Sequence, residues 1–434
     1  MSLITRDLQH IWHPCSQMSD YEDFPPIVIN SARGEYLIDQ HGNKIIDAIA
    51  SWWCKSLGHN HPKLKQALSA QMDKFEHVIL ANTTNQTIVE LSEKLCALTN
   101  LDKAFYASEG SSCVEIALKM SIHARVIKKE HKRKKFIALG NGYHGETLGA
   151  LSVSDLGLYK APYKDLMFDT HFIKNVPYVN STDDPLWHDS SSVWQMLLPE
   201  LEALKDTATA IIVEPILQAA GGMLLYSKDF LKRLCEWAQH NNIHFIVDEI
   251  MTGIGRTGKY LAYEHADIQP DIVCISKGLT SGWLPLSVAL TSNEMFNLFY
   301  DDYDTGKAFL HSHTYCGNAL AVSVALATLK VFTEEKILEK VAANHKIFVE
   351  CFTHIASQTQ RLTNIRAIGG MIAADLITKK PRAGFAVFQE AVKLGALLRP
   401  LGNTIYWCPP LNISEDAIYK LRDITILAIQ KVFC

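Results

Sequence analysis

Short, wholly apolar runs separated by helix-like stretches are the feature that most limits how this chain can fold. Residues 104–107, 136–139, 210–213, 245–247 and Ile272–Ile275 suit strands buried on both faces. Between them, residues 112–128 and Lys228–His240 carry a helical pattern. Strand and helix in alternation predict an α/β fold with a mainly parallel sheet. Residues 27–50 alternate in strand fashion around the turn signal His41-Gly42-Asn43, which predicts a small hairpin lobe. After about residue 325 one long helical pattern leads into a mixed region that ends in another helix. The expected organisation is a large α/β domain over residues 61–325. A smaller α+β domain is expected from residues 1–60 and 326–434 together.

The 434 residues, 48% of them hydrophobic, suffice for two well-filled cores. A formal charge of −4 gives no general electrostatic reason to bind nucleic acid or an anionic membrane, so the expected partners are small molecules. Residues 1–14 lack the uninterrupted apolar core of a secretory signal, and no run reaches the ~18 apolar residues of a membrane helix. The ten cysteines are scattered, which suggests neither CxxC redox chemistry nor a zinc ribbon and fits a reducing cytoplasm. The basic run KKEHKRKK at 128–135 reads as a solvated helix end, where cations complement the dipole. His59 and His61 are spaced i, i+2 without a following carboxylate or cysteine at ligand spacing, so they read as turn or helix-start residues and no metal is expected.

Chemistry concentrates where strands end. The run ending at Val247 passes directly into Asp248 and Glu249, and twenty-nine residues beyond Asp248 the run Ile272–Ile275 is followed by Ser276 and Lys277. Ligands of open α/β sheets bind beyond the carboxyl ends of strands, so a carboxylate and an amine would face one crevice. Pyridoxal phosphate needs that pair: a lysine for the Schiff base, and an acid that keeps the pyridine nitrogen protonated. A structural salt bridge would also account for it. After residues 104–107 comes Ser108-Glu109-Gly110-Ser111-Ser112 and then a helix, the arrangement that cradles a phosphate on backbone amides, although plain serine capping reads the same way. Asn141-Gly142-Tyr143-His144-Gly145 follows another strand and offers Tyr143 as a plate for a flat ring, or else a turn with a packed tyrosine.

Four strand-end signals together outweigh any one, and the segments EGSSCVEIALK, NGYHGET, VEPILQAAGG, VDEIMTGIGRTGK and CISKGL, in that order, resemble the class III aminotransferases of the fold-type I pyridoxal-phosphate enzymes. The resemblance spans nearly the whole chain. IWHP, SWWCKSLGHNHP, HSHTYCGNALA and LRPLGNTIYWCPP look like the branch that serves biotin biosynthesis, moving an amino group from S-adenosylmethionine to 8-amino-7-oxononanoate. The resemblance implies that Lys277 holds the cofactor and moves the proton, and that Asp248 pairs with the pyridinium nitrogen. Gly110 and Ser111 would hold the phosphate, and Tyr143 would lie against the ring and face substrate. Thr314 would reach the phosphate from a second subunit, which makes the expected assembly a homodimer with shared sites. Trp52 would wall the substrate cavity, with Trp53 helping to build it or packing in the core. Arg399 would bind the acceptor carboxylate, because its planar fork suits one. Glu214 and Arg256 match family positions too, Glu214 as hydrogen-bonding support and Arg256 as the partner of a carboxylate, neither of them catalytic.

Three departures bear on substrate. Cys15 stands where the branch has a pocket-lining tyrosine, Glu146 where it has aspartate, and Ser312-His313 where a Gly-Pro pair precedes the threonine. They touch the donor more than the acceptor, with Ser312 and Glu146 as expected donor contacts. Another donor, such as lysine or another ω-amine, is the alternative reading. A binding protein without turnover is disfavoured by the presence of both Lys277 and Asp248.

Overall fold

A computed structural model describes residues 1–433. Seven strands form its central sheet: β1 (Lys103–Ala107), β2 (Lys135–Leu139), β3 (Thr170–Ile173), β4 (Ala208–Val213), β5 (His244–Asp248), β6 (Ile272–Ile275) and β7 (Ser287–Thr291). Their order is β1-β7-β6-β5-β4-β2-β3, parallel throughout except for β7, which runs antiparallel to both neighbours. The sheet is mainly parallel, as the apolar runs predict. The sequence reading did not mark β3 or β7. The β3 residues Thr-His-Phe-Ile mix polar and apolar character at the sheet edge, and β7 follows Pro285 closely.

Burial on both faces explains the uniform polarity of the inner strands. Phe245 and Val247 pack with Leu231, Leu234 and Ala238 of the helix Lys228–His240. Ile246 points the other way, into a cluster with Cys113, Val114 and Ala117 of α1 (Gly110–Ile127). Successive strand residues face opposite sides, so both registers must be apolar. The helix α1 starts two residues before the predicted 112 and ends at Ile127, which leaves most of the basic run in the connection to β2.

The N-terminal segment forms three antiparallel strands, Ile29–Arg33, Tyr36–Asp39 and Lys44–Asp47, one more than the predicted hairpin. Gly42, at φ +84°, sits in the expected turn between the last two. Ala396–Leu397 pairs in parallel with Ile46 and Asp47, so residues from both chain ends share one sheet. Ile46 and Ala48 belong to a core with Phe348, Phe352, Trp407 and Leu421. The single helical pattern expected after 325 is in fact two helices, Ala319–Glu334 and Ile337–Thr359. Lys336 separates them at φ +52°, a break that no glycine or proline marks in the sequence.

Candidate active site

Five strands deliver their ends to one cavity of about 390 Å³. Asp248 is the last residue of β5, Lys277 lies two residues beyond β6, and Glu214 directly follows β4. Tyr143 and His144 come from the loop after β2, Ser108 and Glu109 from the connection between β1 and α1, and Gly110 and Ser111 from the first turn of α1. This is the carboxyl edge of the sheet, where an open α/β fold presents its ligand crevice. Lys277, Asp248, Tyr143, Gly110 and Ser111 all line the same space.

The environments of these groups differ. Lys277 sits at φ +42°, its Nζ 4.8 Å from the centre of the Trp53 ring. Burial pushes its ammonium below the ordinary lysine value, while the carboxylates of Asp248 and Glu214 oppose the shift. Asp248 is buried; one oxygen accepts from the Ile250 N–H at 3.1 Å and the other meets His144 Nδ1 at 2.7 Å. Sequence reasoning gave His144 no role, although it directly follows Tyr143 in a glycine-flanked loop.

Glu214, for which the resemblance implies hydrogen-bonding support of the cofactor region, bonds to two backbone groups. Its carboxylate accepts from the backbone N–H of Tyr143 at 2.9 Å and of Ala219 at 3.0 Å. Burial pushes this carboxyl up to about 7, against the pull of His144. The Tyr143 hydroxyl donates to Glu146 at 2.9 Å, and burial raises its phenol further above the ordinary range. Arg256 departs from expectation: it meets no carboxylate but donates to the carbonyls of Gly370 at 3.0 Å and Pro409 at 2.8 Å. Gly370 lies in the turn before the strand Met371–Leu376 and Pro409 just beyond the strand Thr404–Trp407, so the work of Arg256 is to tie two parts of the chain together.

The crevice suits pyridoxal phosphate on its own geometry. Gly110 opens α1, and a Cβ there would come within 2.9 Å of the Ile250 side chain. Gly145, at φ +127°, could not carry a Cβ without meeting the Ser111 hydroxyl at 2.7 Å. Close backbone approach at a helix start is what a phosphate requires. A half-buried amine and a buried carboxylate at the ends of neighbouring strands complete the set that the ring requires.

The two tryptophans separate. Trp53, 4% exposed, lines the cavity and donates its indole N–H to the Tyr406 hydroxyl at 3.1 Å, so lining and packing both hold for it. Trp52, 41% exposed, does not line this cavity; the Arg399 guanidinium lies 4.6 Å over its ring. Arg399 also donates to the Cys15 carbonyl at 2.7 Å and opens on a second space, walled by Tyr21, Phe24 and Phe385. Beside Cys15 stands a phenol that sequence reasoning missed: the Tyr159 hydroxyl is 3.0 Å from the Cys15 thiol, and its ring stands edge-on to Tyr143. Burial, then the contact with Cys15, pushes the Tyr159 phenol up to about 12.

Ser312 and Thr314 are exposed and do not reach this chain's cavity; the Thr314 carbonyl meets His77 Nε2 at 2.9 Å. His61 caps the helix Pro62–Met72, while His59 is buried against Asp47. No helix among the described residues is long and apolar enough to cross a membrane.

Residues 17–429 match the family model described as aminotransferase class-III. The chain is 45% identical over 424 residues to the adenosylmethionine-8-amino-7-oxononanoate aminotransferase of Helicobacter pylori, covering 96% of this chain and 95% of that protein. The protein of the same name from Aquifex aeolicus is 36% identical, covering 98% and 96%. Among solved structures, the adenosylmethionine-8-amino-7-oxononanoate aminotransferase of Methanocaldococcus jannaschii superposes with a TM-score of 0.92 at 32% identity, over 99% of this chain and 98% of that one. A PLP-bound amine transaminase from an uncultivated Pseudomonas species gives 0.89 at 28% identity, over 97% and 98%.

Proposed function

Since the chain belongs to the class III aminotransferases, enzymes built on pyridoxal phosphate, we propose that it transfers the amino group of S-adenosylmethionine to 8-amino-7-oxononanoate and so makes the 7,8-diaminononanoate of biotin biosynthesis. The observation that carries the reading is a half-buried amine, Lys277, and a buried carboxylate, Asp248, at the ends of neighbouring strands in one cavity, in a chain aligned end to end with relatives of that name. When bound, pyridoxal phosphate supplies an electron-accepting ring that stabilises negative charge at the substrate carbon.

The chain's own residues do the rest. Lys277 would hold the cofactor, and its Nζ would take the proton from the substrate carbon. A depressed amine value favours its neutral, basic form, which suits that task. Asp248 would keep a proton on the ring nitrogen, and His144 fixes the carboxylate for that task. The Gly110 and Ser111 backbone holds the phosphate at the start of α1. Glu214 fixes the Tyr143 backbone, and the Tyr143 ring, which lines the cavity, would lie against the cofactor and exclude water.

Beyond Trp53, Arg399 on Trp52 provides a cation held between a ring and the Cys15 carbonyl, the feature a long acceptor with a terminal carboxylate needs. Glu146, held by Tyr143, and Tyr159 beside Cys15 supply polar groups for the donor. We read the assembly as a homodimer in which Ser312 and Thr314 complete the partner's site. Leu310 at 90% exposure and Tyr303 at 96%, on the chain leading to Thr314, support a covered surface there. A cytoplasmic location fits the free thiols of all nine cysteines among the described residues. The test is to convert the enzyme to its pyridoxamine form with each candidate donor and add 8-amino-7-oxononanoate. Return of the starting absorbance is expected, and no return with any donor would leave only an aminotransferase of another substrate.

A further inference from the structure

Four consecutive residues, Ala50 to Trp53, have φ of +47°, +46°, +71° and +70°, and form a single left-handed helical turn. The Trp53 N–H donates to the Ile49 carbonyl at 2.8 Å and the Cys54 N–H to the Ala50 carbonyl at 3.0 Å, the helical spacing with the opposite hand. Residues with a Cβ visit this region singly, and a run of them persists only where the surroundings over-determine it.

We propose that Asp47, backed by His59, is the positioning device that imposes this turn, and that it sets acceptor recognition from behind the site without touching substrate; this rests on Trp52 and Arg399 being the acceptor's wall and anchor. The Asp47 carboxylate is fully buried and lines neither cavity. It accepts from the Ser51 N–H at 3.0 Å, the Ser51 hydroxyl at 2.8 Å and the Ile49 N–H at 3.4 Å. His59 Nε2 meets it at 2.8 Å, and His59 is itself fixed by two backbone hydrogen bonds with Gly34. A carboxylate that gathers the first N–H groups of the turn favours it over an extended or right-handed path, in which those groups point elsewhere.

The turn's product is the pair of indoles. Successive side chains of a helical turn project about 100° apart, so adjacent tryptophans reach two different targets. Trp52 lies under the Arg399 guanidinium, and Trp53 lies against Lys277 Nζ and Tyr406. Downstream, Ser56 donates to the Gly278 carbonyl at 3.0 Å and Lys55 to the Gly282 carbonyl at 2.8 Å, so the turn is stapled to the segment that carries Lys277. A relaxed turn would move the Trp52 ring away from Arg399 first, because the Trp53 side is held by the staple and by Tyr406.

The test uses the Asp47→Ala holoenzyme, with the two half-reactions followed separately by stopped-flow absorbance. Acceptor efficiency should fall about tenfold or more, since misplacement by an ångström costs rates of that order. The donor half-reaction should change less. Ala50→Gly, which makes φ +47° cheap, should restore most of the acceptor efficiency when combined with Asp47→Ala. Loss of folded protein alone would lower the amplitude of both half-reactions and leave their rates unchanged, and that result overturns the proposal. Equal acceptor rates in Asp47→Ala and the parent also overturn it, provided the parent reacts with 8-amino-7-oxononanoate. If the parent does not react, the acceptor reading itself has failed. Should Asp47→Ala not fold by circular dichroism, Asp47→Asn, which keeps an oxygen for the backbone N–H groups, carries the same comparison.

Discussion

Replacing Arg399 by alanine should separate the two substrates. Three things leave with the guanidinium. One is its place over the Trp52 ring, worth about 0.5–1 kcal/mol at a partly exposed site. The second is the hydrogen bond to the Cys15 carbonyl, worth about 1 kcal/mol. Both lower folding stability, by about 1.5–2 kcal/mol in sum, without acting on the chemistry. The third is the anchor for the acceptor carboxylate. Truncating one partner of a desolvated charge pair costs about 2–5 kcal/mol. Arg399 is only half-buried, so the lower part of that range, about 2–3 kcal/mol, applies, and acceptor efficiency should fall about 30- to 150-fold. The assay reacts the pyridoxamine form with 8-amino-7-oxononanoate in a stopped-flow spectrophotometer, and the donor half-reaction is timed separately. The donor step should slow less, because Glu146 is held by the Tyr143 hydroxyl and not by Arg399, whereas Tyr159 adjoins Arg399 through Cys15 and passes on part of the loss. Arg399→Lys should fall between parent and alanine, since it keeps the charge and loses the fork. Equal losses in both half-reactions, or an acceptor loss under about threefold, would refute Arg399 as the anchor.

Other perturbations address the cofactor, the assembly and the buried charges. Asp248→Asn should fold, bind cofactor and lose most turnover, because a neutral partner cannot hold the ring nitrogen protonated; near-parent turnover would count against the role. Mixing Lys277→Ala with a disruptive Thr314 variant, each inactive alone, should restore partial activity if sites are composite, and proven subunit exchange without recovery would contradict sharing. For Glu214, burial raises the folded value to about 7 from an ordinary 4.5. The folded apoprotein therefore keeps a proton that the unfolded chain has lost. The stability tied to that proton is present below about pH 4.5 and disappears as pH rises through about 7, by at most about 3 kcal/mol. Glu249 behaves in the same direction, with a value of about 7, so Glu214→Gln should remove about half of the downward slope measured by urea unfolding between pH 5 and 7. An unchanged slope would show that Glu214 titrates as an ordinary carboxyl.

What could be read from the sequence followed from burial and strand ends. Apolar runs with no alternation mark strands covered on both faces, and the residue that breaks such a run faces the crevice, which is how Asp248 and Lys277 stand out. His144 escaped because its partner, Asp248, is 104 residues away and reaches it only across β4 and β5. Tyr159 escaped for the same reason: it meets Cys15 across 144 residues, from a four-residue helix with no motif. The resemblance implied a carboxylate partner for Arg256. Here the backbone carbonyls of Gly370 and Pro409 satisfy it instead, and such acceptors leave no trace in side-chain identity.

The left-handed turn shows the sharpest limit. Nothing in Ala50-Ser51-Trp52-Trp53 advertises positive φ, since none of the four is glycine or asparagine, and local propensity favours a right-handed turn or a strand. At about 1–2 kcal/mol per residue, four such residues cost about 4–8 kcal/mol. The charge-assisted bonds to Asp47 and the contacts of two indoles must offset this, and all of them depend on chain segments that come together only on folding. Local rules therefore fail where the two indoles have to be placed. A right-handed turn would rotate the two indoles the other way about the axis, and with the backbone fixed at Asp47 and Ser56 it would not bring one to Arg399 and the other to Lys277. The strain is thus tied to the direction in which adjacent tryptophans must point, and relieving it at Ala50 while keeping Asp47 should leave the rates unchanged and raise the stability.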